Sequence, residues 1–388
     1  MFLKVNNGKI VNSSGRPVVL RGLNLGGWLM MEGYILGGRN IAERQFKKNL
    51  AQKQGKQARR DFTRFWRDTF IQEEDFKAIG RMGLNCVRLP FNYRLIEEGG
   101  LEYLKKAVER CKKYGLWCIL DLHAAPGSQN QDWHSDSLGE TLLWKDKKSQ
   151  DKFIKIWQLL SRAFKDEEAV AGYNIVNEPV WDKTRPILEL YKKTVSAIRE
   201  IDRKHIIFLE GNCWSQDIEF LGPPWDDNLV YSVHFYGPLE FTFGFVRDLK
   251  YPGDIFGEYW SKAKLKEILK KYKRLQKLWN VPIYFGEFGQ NSRCPSCYRE
   301  FQWTADVLDI FKEFGFHWTY WTYKCVAQAT FPDGVYQYQA NPAWICRQGP
   351  VYGWENFYTL WNKQKLDIVR SWQTSNFTLN KALLSILR

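Results

Sequence analysis

Ala171–Val180, AGYNIVNEPV, reads as a buried strand, Tyr173-Asn174-Ile175-Val176, that runs into Asn177-Glu178-Pro179. Proline cannot donate to a sheet ladder. It also biases the residue before it, here Glu178, toward extended backbone, so the strand is expected to stop there. An amide and a carboxylic acid are left side by side at the carboxyl end of a strand. Barrels of alternating strands and helices carry their chemistry at that end. A second stretch repeats the pattern: Val281–Gly289, VPIYFGEFG, is a strand that ends in Glu287 between two glycines, where backbone can approach a ligand closely. Two strand-end carboxylates are what glycoside hydrolysis needs.

Outward from these endings the chain alternates strand and helix. Phe2–Ile10 reads as a hairpin about Asn6-Asn7-Gly8, and Val18–Asn24 as the first core strand. Residues 37–68 are polar, basic and weakly periodic until Phe62, and read as an insertion with some helix. Thr69-Phe-Ile-Gln72 resembles a capping box opening a helix to Ile79. Strands follow at Leu84–Leu89 and Leu116–Leu122, separated by an amphipathic helix at Leu101–Tyr114. Helices at Ser149–Phe164 and Pro186–Ile201 flank the opening motif, which is the fourth strand. Ile206–Glu210, Leu229–Phe235, the strand ending at Glu287 and Phe316–Tyr323 complete the set, with helices at Glu258–Trp279 and Thr304–Phe314 between the later ones.

Eight alternations without a Gly- or Pro-rich linker predict one (β/α)8 TIM barrel over residues 1–388, with an N-terminal hairpin and long loops at the catalytic face. Residues 324–378 read as a loop-rich segment before a terminal helix, Leu379–Leu387, capped by Thr378. A doubly wound sheet is disfavoured, because Gly22-Leu-Asn-Leu-Gly26-Gly27 has the wrong spacing for a phosphate turn and no acidic ribose ligand.

The composition fits a large core: 44% of the 388 residues are hydrophobic, and 18 are tryptophan. Tryptophans in such numbers mainly fill helix-to-strand packing, with a remainder free to stack on sugars. The net charge of +14 is spread over helical patterns such as Lys262–Lys277 and Arg59–Arg67. That is the pattern of solvated helix faces, so no nucleic-acid partner is expected. No stretch is apolar enough to span a membrane, and the N-terminus lacks an apolar signal segment; the chain is expected to be cytoplasmic or a secreted mature form. Cys86, Cys111, Cys118 and Cys213 fall in apolar patterns and are expected as buried thiols. Cys294 and Cys297, with Cys325 and Cys346 in the last loops, read either as disulfides or a metal clip, or as unconnected thiols.

Seven strand ends hold Asn24, Arg88, His123, Asn177 with Glu178, His234 with Tyr236, Glu287 and Trp321. Each has a plain structural explanation alone: an ion pair for Arg88, a satisfied core histidine for His123, packing for Trp321. Their convergence on one end of the barrel is the informative observation. The motifs NCVRLPF, LDLHAAPGSQN, NIVNEP, VHFYGP, YFGEFG and WTYWTY resemble glycoside hydrolase family 5, the cellulase-like retaining barrels, from about Val18 to Trp321. RGLNLGGWLMMEGYI and DLHAAPGSQN are closest to the exo-β-1,3-glucanase type, where the glutamate after Gly-Gly-Trp contacts the sugar; here that is Glu32.

The resemblance implies a retaining β-glycosidase that hydrolyses β-linked glucan chains or oligosaccharides by double displacement. Glu287 is the expected nucleophile, with Arg88 and Tyr236 lowering its pKa. Glu178 is the expected acid/base, partly buried and repelled by Glu287. Asn177 is expected at the 2-hydroxyl, Trp321 beneath the sugar, and His123 and His234 on hydroxyls or on the acid. His134, in the divergent stretch Gln131-Asp132-Trp133-His134, is counted with the substrate-binding residues. A β-mannan hydrolase, a transglycosylase of the same fold and a non-catalytic carbohydrate-binding barrel are the competing readings. No cofactor and no metal are implied. Whether action is endo or exo depends on whether the loops at 124–143, 237–256 and 324–357 leave a through-cleft or block one end.

Overall fold

In the computed structural model, which describes residues 2–246, 248–291, 301–326, 330–338 and 353–388, eight parallel strands close into a barrel. They are β1 (Arg21–Asn24), β2 (Cys86–Asn92), β3 (Trp117–Ala124), β4 (Val170–Asn174), β5 (Ile206–Glu210), β6 (Leu229–His234), β7 (Ile283–Glu287) and β8 (His317–Tyr320). Each pairs with its sequence neighbour, and β8 closes onto β1. Parallel strands wrapped by helices are buried on both faces, which is why they read as near-continuous apolar runs. The (β/α)8 expectation is met.

The barrel interior near its floor is filled by Leu20, Cys86, Ile119, Ala171, Ile206, Phe208, Val230 and Tyr284, with Leu3 and Ile10 of the N-terminal hairpin packed among them. β1 and β2 approach so closely that a Cβ on Gly22 would lie 1.9 Å from the Cys86 carbonyl oxygen. Any side chain there would force the strands apart. At the other end the β4 ladder stops at Asn174, and the chain holds on through Ile175 N–H to Phe208 O (3.3 Å) and Asn177 N–H to Leu122 O (3.2 Å).

Several expectations change. Residues 37–68 are mostly two helices, Glu43–Gln54 and Lys56–Thr69. The Glu43 carboxylate accepts the Met31 N–H (3.0 Å), tying the first helix to the loop that carries Glu32. The segment expected to be loop-rich contains a long helix, Gly353–Ser371, whose Phe357 and Trp361 pack, with Trp372, against Phe46, Phe62 and Trp66. The cap expected at Thr69–Gln72 forms three residues later, where Asp75 accepts the Gln72 N–H (2.6 Å) and the helix runs Glu73–Arg81. Asn380, not Thr378, caps the terminal helix. Glu258–Trp260 is a hairpin strand, and Ser261 caps the helix that follows, Lys262–Trp279. Cys213 is exposed, whereas Cys86, Cys111 and Cys118 are buried free thiols. Cys325 is buried too; Cys294, Cys297 and Cys346, on which the cross-link expectation rests, lie outside the described residues. No described helix is long and apolar enough to cross a membrane.

Candidate active site

Arg88, fully buried on β2, is the hub beneath the carboxyl ends of the strands. Its guanidinium donates to Asn24 Oδ1 (3.0 Å), Asn174 Oδ1 (2.9 Å) and Asn177 Oδ1 (2.7 Å). It also pairs with Glu287 (2.7 Å), Asp121 (3.0 Å) and Glu210 (3.1 Å). Burial opposes its charge, and the carboxylates of Asp121, Glu287 and Glu210 more than offset that. A buried cation survives only when paired and hydrogen-bonded in this way.

Glu287 ends β7. Arg88 Nη1 donates to its Oε1, and the Tyr236 hydroxyl donates to its Oε2 (2.8 Å). Burial raises its pKa; His234 and Arg88 pull it down, while Glu178 and Glu210 push it up, and the net shift is upward. This differs from the lowered value expected from Arg88 and Tyr236, because desolvation of a fully enclosed carboxylate is the larger effect. The flanking glycines also do something other than admit a ligand. A Cβ on Gly286 would meet the His234 ring at 3.0 Å, and one on Gly289 would meet the Trp321 carbonyl at 2.4 Å.

Glu178 sits just past β4 with left-handed backbone, φ 44°. Its N–H donates to Glu210 Oε2 (2.7 Å), and Asn130 Nδ2 donates to its carbonyl (2.8 Å). The side chain is partly buried: Oε1 bonds His234 Nδ1 (2.7 Å), and Oε2 lies 3.5 Å from His134 Nε2. One oxygen of Glu178, one of Glu287 and one nitrogen of His234 all lie within 4.8 Å of one another. Among the described residues this trio alone has donor atoms that converge closely enough for a metal ion, and each is already engaged in protein hydrogen bonds.

The histidines differ by environment. Burial opposes a charge on His234, yet Glu210, Glu287 and Glu178 push it up to about 10. His134 likewise rises to about 9, against burial, through Asp132 and Glu178. His123, buried and facing Arg88, is depressed and stays neutral. Its Nδ1 bonds Asp121 (2.8 Å), and its ring lies parallel to that of Trp321, centroids 5.5 Å apart. Burial pushes Glu32 up to about 8.

These groups line a cavity of about 530 Å³. Of the eleven residues singled out from sequence, Glu32, His123, His134, Glu178, His234, Tyr236, Glu287 and Trp321 face it; Asn24, Arg88 and Asn177 are fully buried and do not. Asn177 is held by Arg88 and lies 3.5 Å from His123 Nε2. Sequence reasoning missed Tyr34, Trp133, Trp214, Phe243 and Phe331, which are loop aromatics with no periodic signal. It also missed Glu210, although the signal was available: β5 is the one strand whose end went unread.

A family model described as cellulase (glycosyl hydrolase family 5) matches residues 45–325. A β-xylosidase of Phanerodontia chrysosporium is 32% identical over 345 residues, covering 83% of this chain and 71% of the relative. Endoglucanase C of Acetivibrio thermocellus is 30% identical over 297 residues, 66% of this chain and 85% of the relative. A solved structure of a glycoside hydrolase superposes with a TM-score of 0.63 over 95% of this chain and 98% of its own, a likeness of fold at 22% identity.

Proposed function

The chain belongs to glycosyl hydrolase family 5, and from that premise we propose that it is a retaining β-glycosidase that acts from the end of a β-linked glucan chain or oligosaccharide. The observation that carries the exo reading is an aromatic cluster about Phe331 along one side of the cavity. Its ring meets Tyr34 (4.9 Å), Trp133 (5.6 Å), Phe243 (5.4 Å) and Phe245 (5.7 Å). The three long loops thus join across the mouth, next to the Tyr34 hydroxyl that accepts from Trp321 Nε1. A sugar seated between Trp321 and Glu287 has this aromatic wall on that side. We place the rest of the sugar chain on the other side, toward Glu178 and the exposed Trp214 and Leu239, which also line the cavity.

The mechanism follows from the two carboxyls. Glu287 attacks the anomeric carbon while Glu178 protonates the departing oxygen, and a glycosyl ester forms on Glu287. Glu178 then takes a proton from a water that attacks the anomeric carbon of the ester, displacing the Glu287 carboxylate and restoring the original configuration. A separation within 4.8 Å supports retention. Inverting enzymes hold their carboxyls about 6.5–9.5 Å apart to admit a water. Arg88 and Tyr236 fix both oxygens of Glu287, so little reorganisation is needed at attack. His234, charged and donating to Glu178 Oε1, holds the acid in place. General-acid help of this kind contributes about 10²–10⁴ in rate.

Product sizing on soluble β-1,3- and β-1,4-glucans tests the proposal. Xylo- and manno-oligosaccharides belong in the same panel, the former because of the β-xylosidase relative. The expected result is small sugars from the first turnovers with little early loss of viscosity. Rapid viscosity loss with long products would overturn the exo reading, and release from mannans alone would move the substrate class.

A further inference from the structure

We propose that Glu210 is a positioning residue for the proton donor: its buried carboxylate fixes the left-handed backbone of Glu178 and, through His234, the Glu178 side chain. The inference rests on the acid/base role given to Glu178 above.

Glu210 is the last residue of β5 and is fully buried. Oε2 accepts the Glu178 N–H (2.7 Å) and the Ser215 hydroxyl. Oε1 accepts from Arg88 Nη2 (3.1 Å) and lies 3.4 Å from His234 Nε2. The other ring nitrogen of His234 bonds Glu178 Oε1 (2.7 Å). One carboxylate therefore reaches Glu178 twice, by a hydrogen bond at the backbone and, across an ion-pair contact rather than a hydrogen bond, through the imidazole at the side chain. The backbone contact matters because Glu178 adopts a conformation that its Cβ disfavours and that the following Pro179 disfavours again. A charged acceptor on the N–H and Asn130 on the carbonyl hold that conformation from both sides. Although burial would raise its pKa, His234, Arg88 and the Glu178 N–H hold Glu210 down at about 2, so the acceptor stays ionised.

A carboxylate beside Arg88 also serves as a countercharge. That role would act through Glu287 and slow every substrate alike. Positioning the acid would slow only substrates that need a proton. The leaving group separates the two, because a dinitrophenolate departs without protonation and a phenolate or sugar alkoxide does not.

The experiment is a series of aryl β-D-glucosides or β-D-xylosides, whichever the wild type cleaves, graded by leaving-group acidity and run on wild type, Glu210→Gln, Ser215→Ala and Glu178→Gln. In Glu210→Gln, the first step on the dinitrophenyl glycoside is expected within about 3-fold of wild type, while kcat/KM on the phenyl glycoside falls about 10²-fold, a share of the general-acid contribution. Ser215→Ala keeps the charge and loses one anchor, so the same pattern is expected at up to about 10-fold, and it decides the matter if Glu210→Gln does not fold. Equal loss across the series, or no loss, overturns the proposal. If Glu178→Gln itself shows no leaving-group dependence, the acid assignment fails and takes the proposal with it. A steep dependence there with a flat one in Glu210→Gln and Ser215→Ala refutes the positioning role alone.

Discussion

Glu32 offers the sharpest test of the electrostatics. Its carboxyl is buried in the cavity wall, with Oε1 lacking a hydrogen-bond partner among the described residues and His123 Nε2 3.8 Å away. Burial is the largest influence on it; His134 and Arg88 pull down, Glu287 and Glu178 push up, and the result is about 8 against an ordinary 4.5. At neutral pH it is therefore a protonated acid that can donate to a sugar hydroxyl. Between pH 4.5 and 8 the folded chain holds this proton and the unfolded chain does not. Stability from this group is thus full below about 4.5 and falls as pH rises to about 8. A gap of about 3.5 units at about 1.4 kcal/mol each is about 5 kcal/mol. Glu32→Gln cannot titrate. Urea unfolding of both proteins at pH 4.5 and 8.5 should show the variant gaining about 5 kcal/mol on wild type between the two. The kcat/KM profile of wild type should also fall near pH 8, where a new carboxylate would face Glu287, and this limb should vanish in the variant. An unchanged stability difference at both pH values would refute the reasoning.

Glu287→Ala should abolish turnover, with azide restoring part of it as an inverted product; Glu178→Ala should keep the first step on a dinitrophenyl glycoside, show a burst, and give a retained azide product, as followed by NMR of the products. Phe331→Ala should open the aromatic wall and lengthen the products in a sizing assay, at a cost of about 1–2 kcal/mol because the ring is only partly buried. Arg88→Met should destabilise by about 3–5 kcal/mol in urea unfolding, since it strands buried carboxylates that have lost their cation.

The barrel was legible because parallel strands buried on both faces announce themselves locally, and because polar groups recur at one end of them. The helix Gly353–Ser371 was not. Its backbone breaks at Gln364 (φ −134°), which resets the helical phase, and its aromatics answer to Phe46, Phe62 and Trp66 some 300 residues away. Cys213 misled for a related reason. It belongs to Cys213-Trp214-Ser215, three successive left-handed residues that turn the thiol outward, where an apolar pattern suggested burial. The cavity-facing aromatics were hidden because each comes from a different loop, and loop tips carry no period. The upward shift of Glu287 was hidden because partners can be guessed from motifs, whereas the depth of burial is a property of the closed barrel.

Glu178 shows how a local rule is overruled. The proline that follows it argues for extended backbone, yet φ is 44°. A non-glycine residue held there costs about 1–3 kcal/mol. The N–H to the Glu210 carboxylate is charge-assisted and worth about 1.5–3 kcal/mol, and the Asn130 amide on the carbonyl adds about 1 kcal/mol. Those contributions offset the strain, most of it through the Glu210 carboxylate. Both come from outside the motif: Asn130 from the loop after β3, Glu210 from the end of β5. The same β5 end carries the left-handed Trp214, whose Nε1–H reaches Asp132 (2.7 Å) beside His134. Backbone strain and buried charge therefore gather at the loops around Glu178, the proposed proton donor, and the residues that hold it there are the ones a strand-by-strand reading passes over.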